Sequence, residues 1–399
     1  MSDGWARGTL GDLVIDEFGI KSGPFGTVLS ASEYGAVGVP VISVGEVGYG
    51  EFRVRSETPR VGEDVTSRLP EYLLQEGDIV FGRKGAVDRS AWVSSDQDGW
   101  FLGSDGLRVR THSGANSRFV AFQLRGAVAR DWLLQHAGGS TLLSLNQGTL
   151  ARVPVVIPPL AEQQAIAEVL GALDDKIAAN TALAQTSRAM AIAMFRVGGS
   201  RVALRDIVTH HKRQVALATL EDDLVEHYSL PAFDAGDGPE TVAPTSIKSN
   251  KFAVETEAVL VSKLNPQTPR IWPVRLGGEL QRVASTEFLV LEPRSSSRWV
   301  LWALLSQPQF MASLQGMVAG TSGSHQRVKP DDVLEAEVTD PRSLDPKLVA
   351  DVDALLAPVD VLLNENRTLA ATRDALLPQL MSGKLRVRDA EKLASEAGA

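Results

Sequence analysis

From Leu160 to Phe195 the chain carries no proline, no β-rich run and a single glycine, Gly171. Within it Ile166, Leu170, Leu173, Ile177, Asn180, Ala184, Ser187, Ala191 and Met194 alternate spacings of four and three residues. A repeat averaging 3.5 residues keeps one helical stripe facing a partner, so four heptads of it read as a coiled-coil seam. A helix of about 35 residues rises roughly 50 Å. Its partner is written 186 positions later: Val352, Leu356, Val359, Leu363, Asn366, Ala370, Arg373, Leu377 and Leu380 repeat the spacing. Asn180 and Asn366 occupy the same seam position. Antiparallel packing puts these amides face to face, and a buried amide that must find a partner selects one register. Pro358 and Pro378 predict a kink or a late start in the second helix. A hairpin that merely stabilises the fold is the alternative; a rigid spacer is favoured, because two similar domains separated by a rod need a reason for the rod.

The rest of the chain is also written twice. Thr9-Leu10-Gly11-Asp12-Leu13-Val14 returns as Ala203-Leu204-Arg205-Asp206-Ile207-Val208. Gly77-Asp78-Ile79-Val80-Phe81 is echoed by Glu257-Ala258-Val259-Leu260-Val261, each followed two positions on by a basic residue, Arg83 or Lys263. Gly139-Ser140-Thr141 returns as Gly320-Thr321-Ser322. The echoes keep their order, which is the mark of a tandem duplication. In the first copy Pro40 to Val44, Asp78 to Phe81, Leu107 to Arg110 and Val153 to Ile157 read as strands, and Arg118 to Gln135 as a helix. In the second, Ala258 to Ser262 and Glu287 to Leu291 read as strands and Arg298 to Met317 as a helix. Residues 1–155 and 199–344 each hold 15 basic and 18 acidic residues, as paired copies should. The expected fold class is α+β, two such domains alternating with two long helices in a pseudo-twofold duplication.

Composition narrows the chemistry. A formal net charge of -9 argues against indiscriminate polyanion binding. The absence of cysteine excludes disulfides, cysteine-type zinc fingers, iron–sulfur ligation and thiol catalysis. The start, MSDGWARGTLGDLV, lacks a basic and then apolar leader, and no apolar run approaches the ~20 residues of a membrane span. The expectation is a soluble, cytoplasmic protein without cofactor or metal.

Several stretches resemble specificity subunits of type I restriction–modification systems. Pro158-Pro159-Leu160-Ala161-Glu162-Gln163-Gln164-Ala165-Ile166, with Leu173-Asp174-Asp175-Lys176-Ile177 and Asn180, is similar to that family's central conserved region. Leu363-Asn364-Glu365-Asn366, followed by Leu376-Leu377-Pro378-Gln379-Leu380-Met381-Ser382-Gly383-Lys384-Leu385, resembles its distal one. Ser22-Gly23-Pro24-Phe25-Gly26-Thr27 and Gly139-Ser140-Thr141 with Leu145-Asn146 resemble loops of one target-recognition subtype. Ser262-Lys263-Leu264-Asn265-Pro266 and Gly320-Thr321-Ser322-Gly323-Ser324 resemble those of another. The second copy departs in having Asp340-Pro341-Arg342-Ser343-Leu344-Asp345-Pro346 where the first has Pro-Pro-Leu-Ala-Glu-Gln, which predicts an irregular start to that helix.

The resemblance implies a non-catalytic reader of double-stranded DNA. Its target-recognition domains would be residues 1–158 and 199–344, its helices 159–198 and 345–386, and its tail 387–399. Each domain would read half of a split, asymmetric target. The helices would set the spacing and dock two methyltransferase subunits, on which nuclease and translocase subunits assemble. A coiled-coil scaffold with protein-binding domains, or a reader in a related methylation-based phage-defence system, are the alternatives. The former predicts no effect on methylation; the latter differs only in its partners.

Phosphates supply much of the affinity for DNA and base edges the choice, with Arg and Lys suiting guanine and Asn and Gln adenine. The candidates in the first domain are Lys21, Arg83, Lys84 and Asn146 with Gln147. In the second they are Lys248, Lys251 with Asn250, Lys263, Asn265, Ser322, Gln326 and Arg327 with His325 and Lys329. Ser322-Gly323-Ser324 is small enough for close approach to a phosphate. Each basic residue taken singly reads as a solvated charge; loop position and recurrence in both halves single these out. Enzyme readings fare poorly. No Gly-x4-Gly-Lys-Ser/Thr loop is present, Asn265-Pro266 continues as Gln267-Thr268 rather than Pro-aromatic, and no His-Glu-x-x-His occurs. His210-His211 reads as a polar surface pair, and Pro330-Asp331 with Glu335 and Glu337 lacks the lysine of a nuclease site.

Overall fold

The computed structural model describes residues 5–139, 141–195, 198–216, 220, 223–236, 238–317 and 326–398. Met1–Lys176 with Thr368–Ala399 form one compact unit and Ile177–Arg367 the other. Each mixes sheets with helices, and the division cuts through both long helices.

In the first unit, Ala6–Thr9 pairs antiparallel with Pro154–Ile157, tying the start of the chain to the segment that leads into the first long helix. A five-stranded sheet runs in the order Ile20–Ser22, Gly106–Val109, Ile79–Gly82, Ser90–Trp92, Tyr49–Gly50, and a smaller one in the order Arg60–Val61, Val39–Ile42, Phe101–Leu102. Ile79, Val80 and Phe81 are fully buried, so this central strand is apolar on both faces rather than alternating. The expected helix over Arg118 to Gln135 is two helices, Ser117–Arg125 and Ala127–His136. Gly126 between them is extended, at φ -66° and ψ 154°. A glycine holds helical geometry weakly, and here it ends one helix and opens the next.

The motif at the head of the first long helix, Leu160–Met194, docks this unit onto it. Buried Gln163 accepts from the Asn116 amide (3.0 Å) and donates to the Pro158 carbonyl (2.8 Å), while Glu162 accepts from the Trp5 indole (2.9 Å). Arg118 crosses the helix to Asp175 (3.0 Å) and the Gly171 carbonyl (3.1 Å). A side chain at Gly171 would meet the Arg118 guanidinium at 2.7 Å, so the helix's single glycine is room for that arginine. Asp174 stands between two arginines, accepting from Arg125 and from Arg373 of the second long helix, each at 2.7 Å.

In the second unit, Arg201–Ala203 pairs antiparallel with Glu337–Thr339. An antiparallel sheet runs in the order Val208–His211, Phe288–Pro293, Ala258–Ser262, Ile271–Val274. A five-stranded sheet has the order Gln214–Val215, Lys251–Ala253, Gln281–Ala284, Val225–Tyr228, Glu240–Val242. The expected helix from Arg298 to Met317 is again two, Arg298–Leu305 and Pro308–Gly316. Pro308 has no N–H to continue the first and a φ suited to starting the second. Val259, Val261, Leu289 and Leu291 of the sheet share one core with the helix Arg298–Leu305 and with Ala184, Ala191, Val352, Leu356 and Val359 of the long helices.

The second long helix, Pro346–Met381, neither starts late nor is interrupted at Pro358 or Pro378. Pro346 sits in its first turn, where the missing N–H costs nothing, and Asp345 accepts from the Lys347 amide (2.9 Å). Ahead of it Pro341–Ser343 forms a separate 3₁₀ turn capped by Asp340, the irregular start that the altered sequence predicts. The C-terminal segment carries a further helix, Val387–Ala397. The two asparagines do not bond each other. Asn180 donates to the Glu365 carboxylate (2.8 Å), and Asn366 to the Thr181 hydroxyl (3.0 Å) and the Ile177 carbonyl (3.3 Å). Each amide thus bonds a residue adjacent to the other asparagine, and Asn180 gains a carboxylate, a stronger acceptor than an amide oxygen.

Candidate nucleic-acid interface

In the first unit three loops converge at the end of the central sheet. The first follows Ile20–Ser22: Gly23 donates to the Gly106 carbonyl (3.1 Å), and a Cβ on it would fall 1.8 Å from the Gly103 carbonyl oxygen, so only glycine fits. The second, residues 83–85, is held by backbone bonds from Arg83 N to Asp105 O (2.8 Å), Leu145 N to Arg83 O (2.8 Å) and Gly85 N to Leu143 O (2.8 Å). The third is the segment 143–147 that those bonds reach. Gly85 adopts φ +72°, which lets the loop turn back on itself.

The side chains gathered there include most of the expected set. The Arg83 guanidinium lies 4.2 Å from the centroid of Phe25, itself 47% exposed, and its Nε and Nη1 are buried with no acceptor among the described residues. Lys84 pairs with Asp105 at 3.0 Å. The Lys21 ammonium rests 4.6 Å from the Tyr72 centroid; burial, more than the opposing Glu71, lowers its pKa, and Arg108 and Arg110 add to the shift. Asn146 is exposed, but its side-chain oxygen caps the helix Gln147–Ala151 by accepting from the Thr149 amide (2.8 Å). Half of its hydrogen-bonding capacity therefore serves the fold.

The second unit builds the same lattice. Lys263 N bonds Glu287 O (2.7 Å), Val328 N bonds Lys263 O (3.0 Å) and Asn265 N bonds Gln326 O (2.9 Å). Asn265, at φ +52°, stands where Gly85 stands in the first unit; asparagine is among the few residues that accept this conformation. Arg327 grips Glu287 with two bonds, at 3.0 and 3.1 Å. Burial lowers the pKa of Lys263 despite Glu287. Lys263, Asn265, Gln326 and Arg327 are thus brought together; Ser322 and His325 lie outside the described residues. Lys248 is exposed on a separate segment, and Lys251 is not a free surface cation. It is 7% exposed and its ammonium is taken up by the Ser249 carbonyl (2.9 Å) and hydroxyl (2.7 Å).

Reasoning from basic residues passed over the carboxylates Asp105 and Glu287, which hold the exposed cations of the two lattices. The available signal was positional: each directly precedes a buried strand, Gly106–Val109 or Phe288–Pro293. His211 bonds Glu292 at 2.6 Å, and among the described residues no cluster of acidic and histidine side chains could hold a metal. No helix among the described residues is long and apolar enough to cross a membrane.

Comparison with known proteins agrees with this architecture. The type I restriction modification DNA specificity domain family matches residues 3–186. Among solved structures, the type I restriction–modification system S subunit from M. genitalium is 15% identical with a TM-score of 0.56, over 95% of this chain and 97% of that one. A chain from a type I R-M system, studied for its complex assembly and conformational transition, is 14% identical (TM-score 0.37; 96% and 99% covered). The HsdS subunit from Thermoanaerobacter tengcongensis is also 14% identical (TM-score 0.33; 100% and 97% covered). Residues 3–186 thus match the type I restriction modification DNA specificity domain family, and the overall fold of the chain is similar to that of an S subunit.

Proposed function

We propose that the chain is the sequence-reading subunit of a type I restriction–modification complex, recognising a split, asymmetric DNA target and directing adenine methylation and restriction by partner subunits. The observation that carries this reading is the repeated loop lattice. Arg83 and Lys263 emerge at the same point of two sheets, fixed by the same three backbone bonds, with different side chains around them. Two equivalent frames bearing unlike contact residues suit two unlike half-sites. The matching strand order around them supports an internal duplication: Ile20–Ser22, Gly106–Val109, Ile79–Gly82, Ser90–Trp92 against Val208–His211, Phe288–Pro293, Ala258–Ser262, Ile271–Val274.

On this reading residues 1–158 and 199–344 are the target-recognition domains. The helices of 35 and 36 residues act as an antiparallel coiled coil that fixes the gap between half-sites and carries two methyltransferase subunits, with nuclease subunits joining through these. The bonds Asn180–Glu365, Asn366–Thr181 and Asp174–Arg373 support that pairing and register. The chain itself contributes no catalytic group. Arg83 and Lys263 supply cations at base or phosphate edges, Lys21, Lys84, Lys248 and Arg327 add positive charge, and Asn146, Asn265, Gln326 and Ser322 offer polar contacts. With a net charge of -9, the isolated chain binds DNA weakly and its partners supply the rest of the grip. Titration of target and scrambled duplexes with the chain alone and with the methyltransferase-bound complex tests this. Tight, salt-insensitive, sequence-specific binding by the chain alone contradicts it.

A further inference from the structure

Each loop lattice places a carboxylate beside its exposed cation. Asp105 and Glu287 both supply the carbonyl that fixes the half-buried Arg83 or Lys263, and both hold an exposed cation, Lys84 or Arg327, with their side chains. Their side chains are 34% and 28% exposed, and the cations they hold 47% and 52%. The cation comes from different loops in the two units, residue 84 in one and residue 327 in the other, yet the carboxylate stays at the same point of the frame. A surface that meets a polyanion gains nothing from a carboxylate unless the duplex offers it a donor. In the major groove the donors are the exocyclic amino groups of cytosine and adenine.

We propose that Asp105 and Glu287 are specificity-determining residues, one for each half-site. In the free protein each is neutralised by its cation. Exposed ion pairs are weak, so an arriving phosphate can draw Lys84 or Arg327 away. The bared carboxylate then repels the duplex wherever it meets acceptors, and is satisfied only where an amino group of cytosine or adenine faces it. Discrimination comes from the cost of the wrong base as much as from attraction to the right one. This rests on the DNA-reading function proposed above and adds the residues that enforce its selectivity.

The test is selection from a randomised duplex library by the complex of the full chain with its methyltransferase subunits, followed by sequencing of the methylated products. Glu287→Gln is expected to admit other bases at a cytosine- or adenine-containing position of one half only, with discrimination there falling on the order of tenfold. Asp105→Asn does the same in the other half, and the charge-keeping Glu287→Asp and Asp105→Glu keep the selected bases. Arg327→Gln, which leaves the carboxylate in place, weakens binding without relaxing that position. This last variant distinguishes selectivity from loss of the ion pair even if a carboxylate variant folds poorly. If the unaltered complex selects a split sequence and the carboxylate variants select the same one, or lose both halves equally, the inference is overturned while the DNA-reading function stands. If the unaltered complex selects no sequence, that function fails and the inference with it.

Discussion

Lys263 combines features rarely found together in a surface lysine: a backbone fixed by Glu287 and Val328, partial burial, and a pKa pulled below the ordinary lysine value by that burial. Lysines that merely solubilise a surface are not held this way. Lys263→Ala is expected to weaken binding to one half-site about tenfold, the scale of one lost base-edge contact, and to leave the other unchanged. Competition with duplexes mutated in either half measures it; equal loss in both halves makes Lys263 a general electrostatic contributor. Its neighbour His210 gives a prediction on stability. Burial, with Lys212 and Lys263 adding to it, lowers His210 from 6.5 to about 4. Between those values the unfolded chain binds a proton that the folded chain refuses, so this contribution is complete above pH 6.5 and is lost as pH falls towards 4. Melting temperatures at pH 7.5 and 5 should therefore differ less for His210→Asn than for the unaltered chain. Parallel pH profiles contradict that assignment.

The long helices were legible in the sequence because a spacing of four and three persists through four heptads, and burial of Ile166, Leu170, Leu173, Ala184 and Ala191 follows it closely. What occupies the polar seam positions was not legible. Asn180 and Asn366 bond Glu365 and Thr181, and which acceptor lies within reach depends on rotation of the helices rather than on spacing. The breaks at Gly126 and Pro308 were passed over because periodicity continues through a single interrupting residue, although residue chemistry marks both. Likewise Lys251 looks like any basic loop residue until the strand Lys251–Ala253 turns its ammonium back onto Ser249.

Asp174 is the element-scale feature with the largest expected energetic effect. Its carboxylate serves Arg125 and Arg373, both mostly buried, so Asp174→Asn takes the shared charge from both guanidiniums and leaves Arg373 only the exposed Asp374. We expect a loss of about 3 kcal/mol, the usual cost of breaking a buried ion pair from one side. The adjacent, exposed Asp175→Asn should cost under about 1 kcal/mol. Denaturant midpoints compare the two, and equal losses contradict the bridging role. Asn180→Leu removes a buried amide whose value lies in register, so it should relax the spacing tolerated between half-sites. Methylation assays on targets with gaps lengthened or shortened by one base pair check this, and unchanged gap selectivity overturns it.

At the scale of the whole molecule, the chain carries two similar frames with different contact residues and a pair of long helices, the parts that the proposed reading of a split sequence requires. On that proposal, duplication would supply the second frame and divergence of its loops the second specificity, while the strand order beneath stays the same. The target bases are not legible because base choice depends on the geometry in which loops present their side chains, which residue types and spacing do not set. The most direct measurement is genome-wide adenine-methylation mapping in cells that carry this chain together with the methyltransferase proposed as its partner, with and without the chain. The account predicts a split, asymmetric methylated sequence that vanishes when the chain is deleted. A methylation pattern unchanged by the deletion contradicts the role of the chain as a DNA reader.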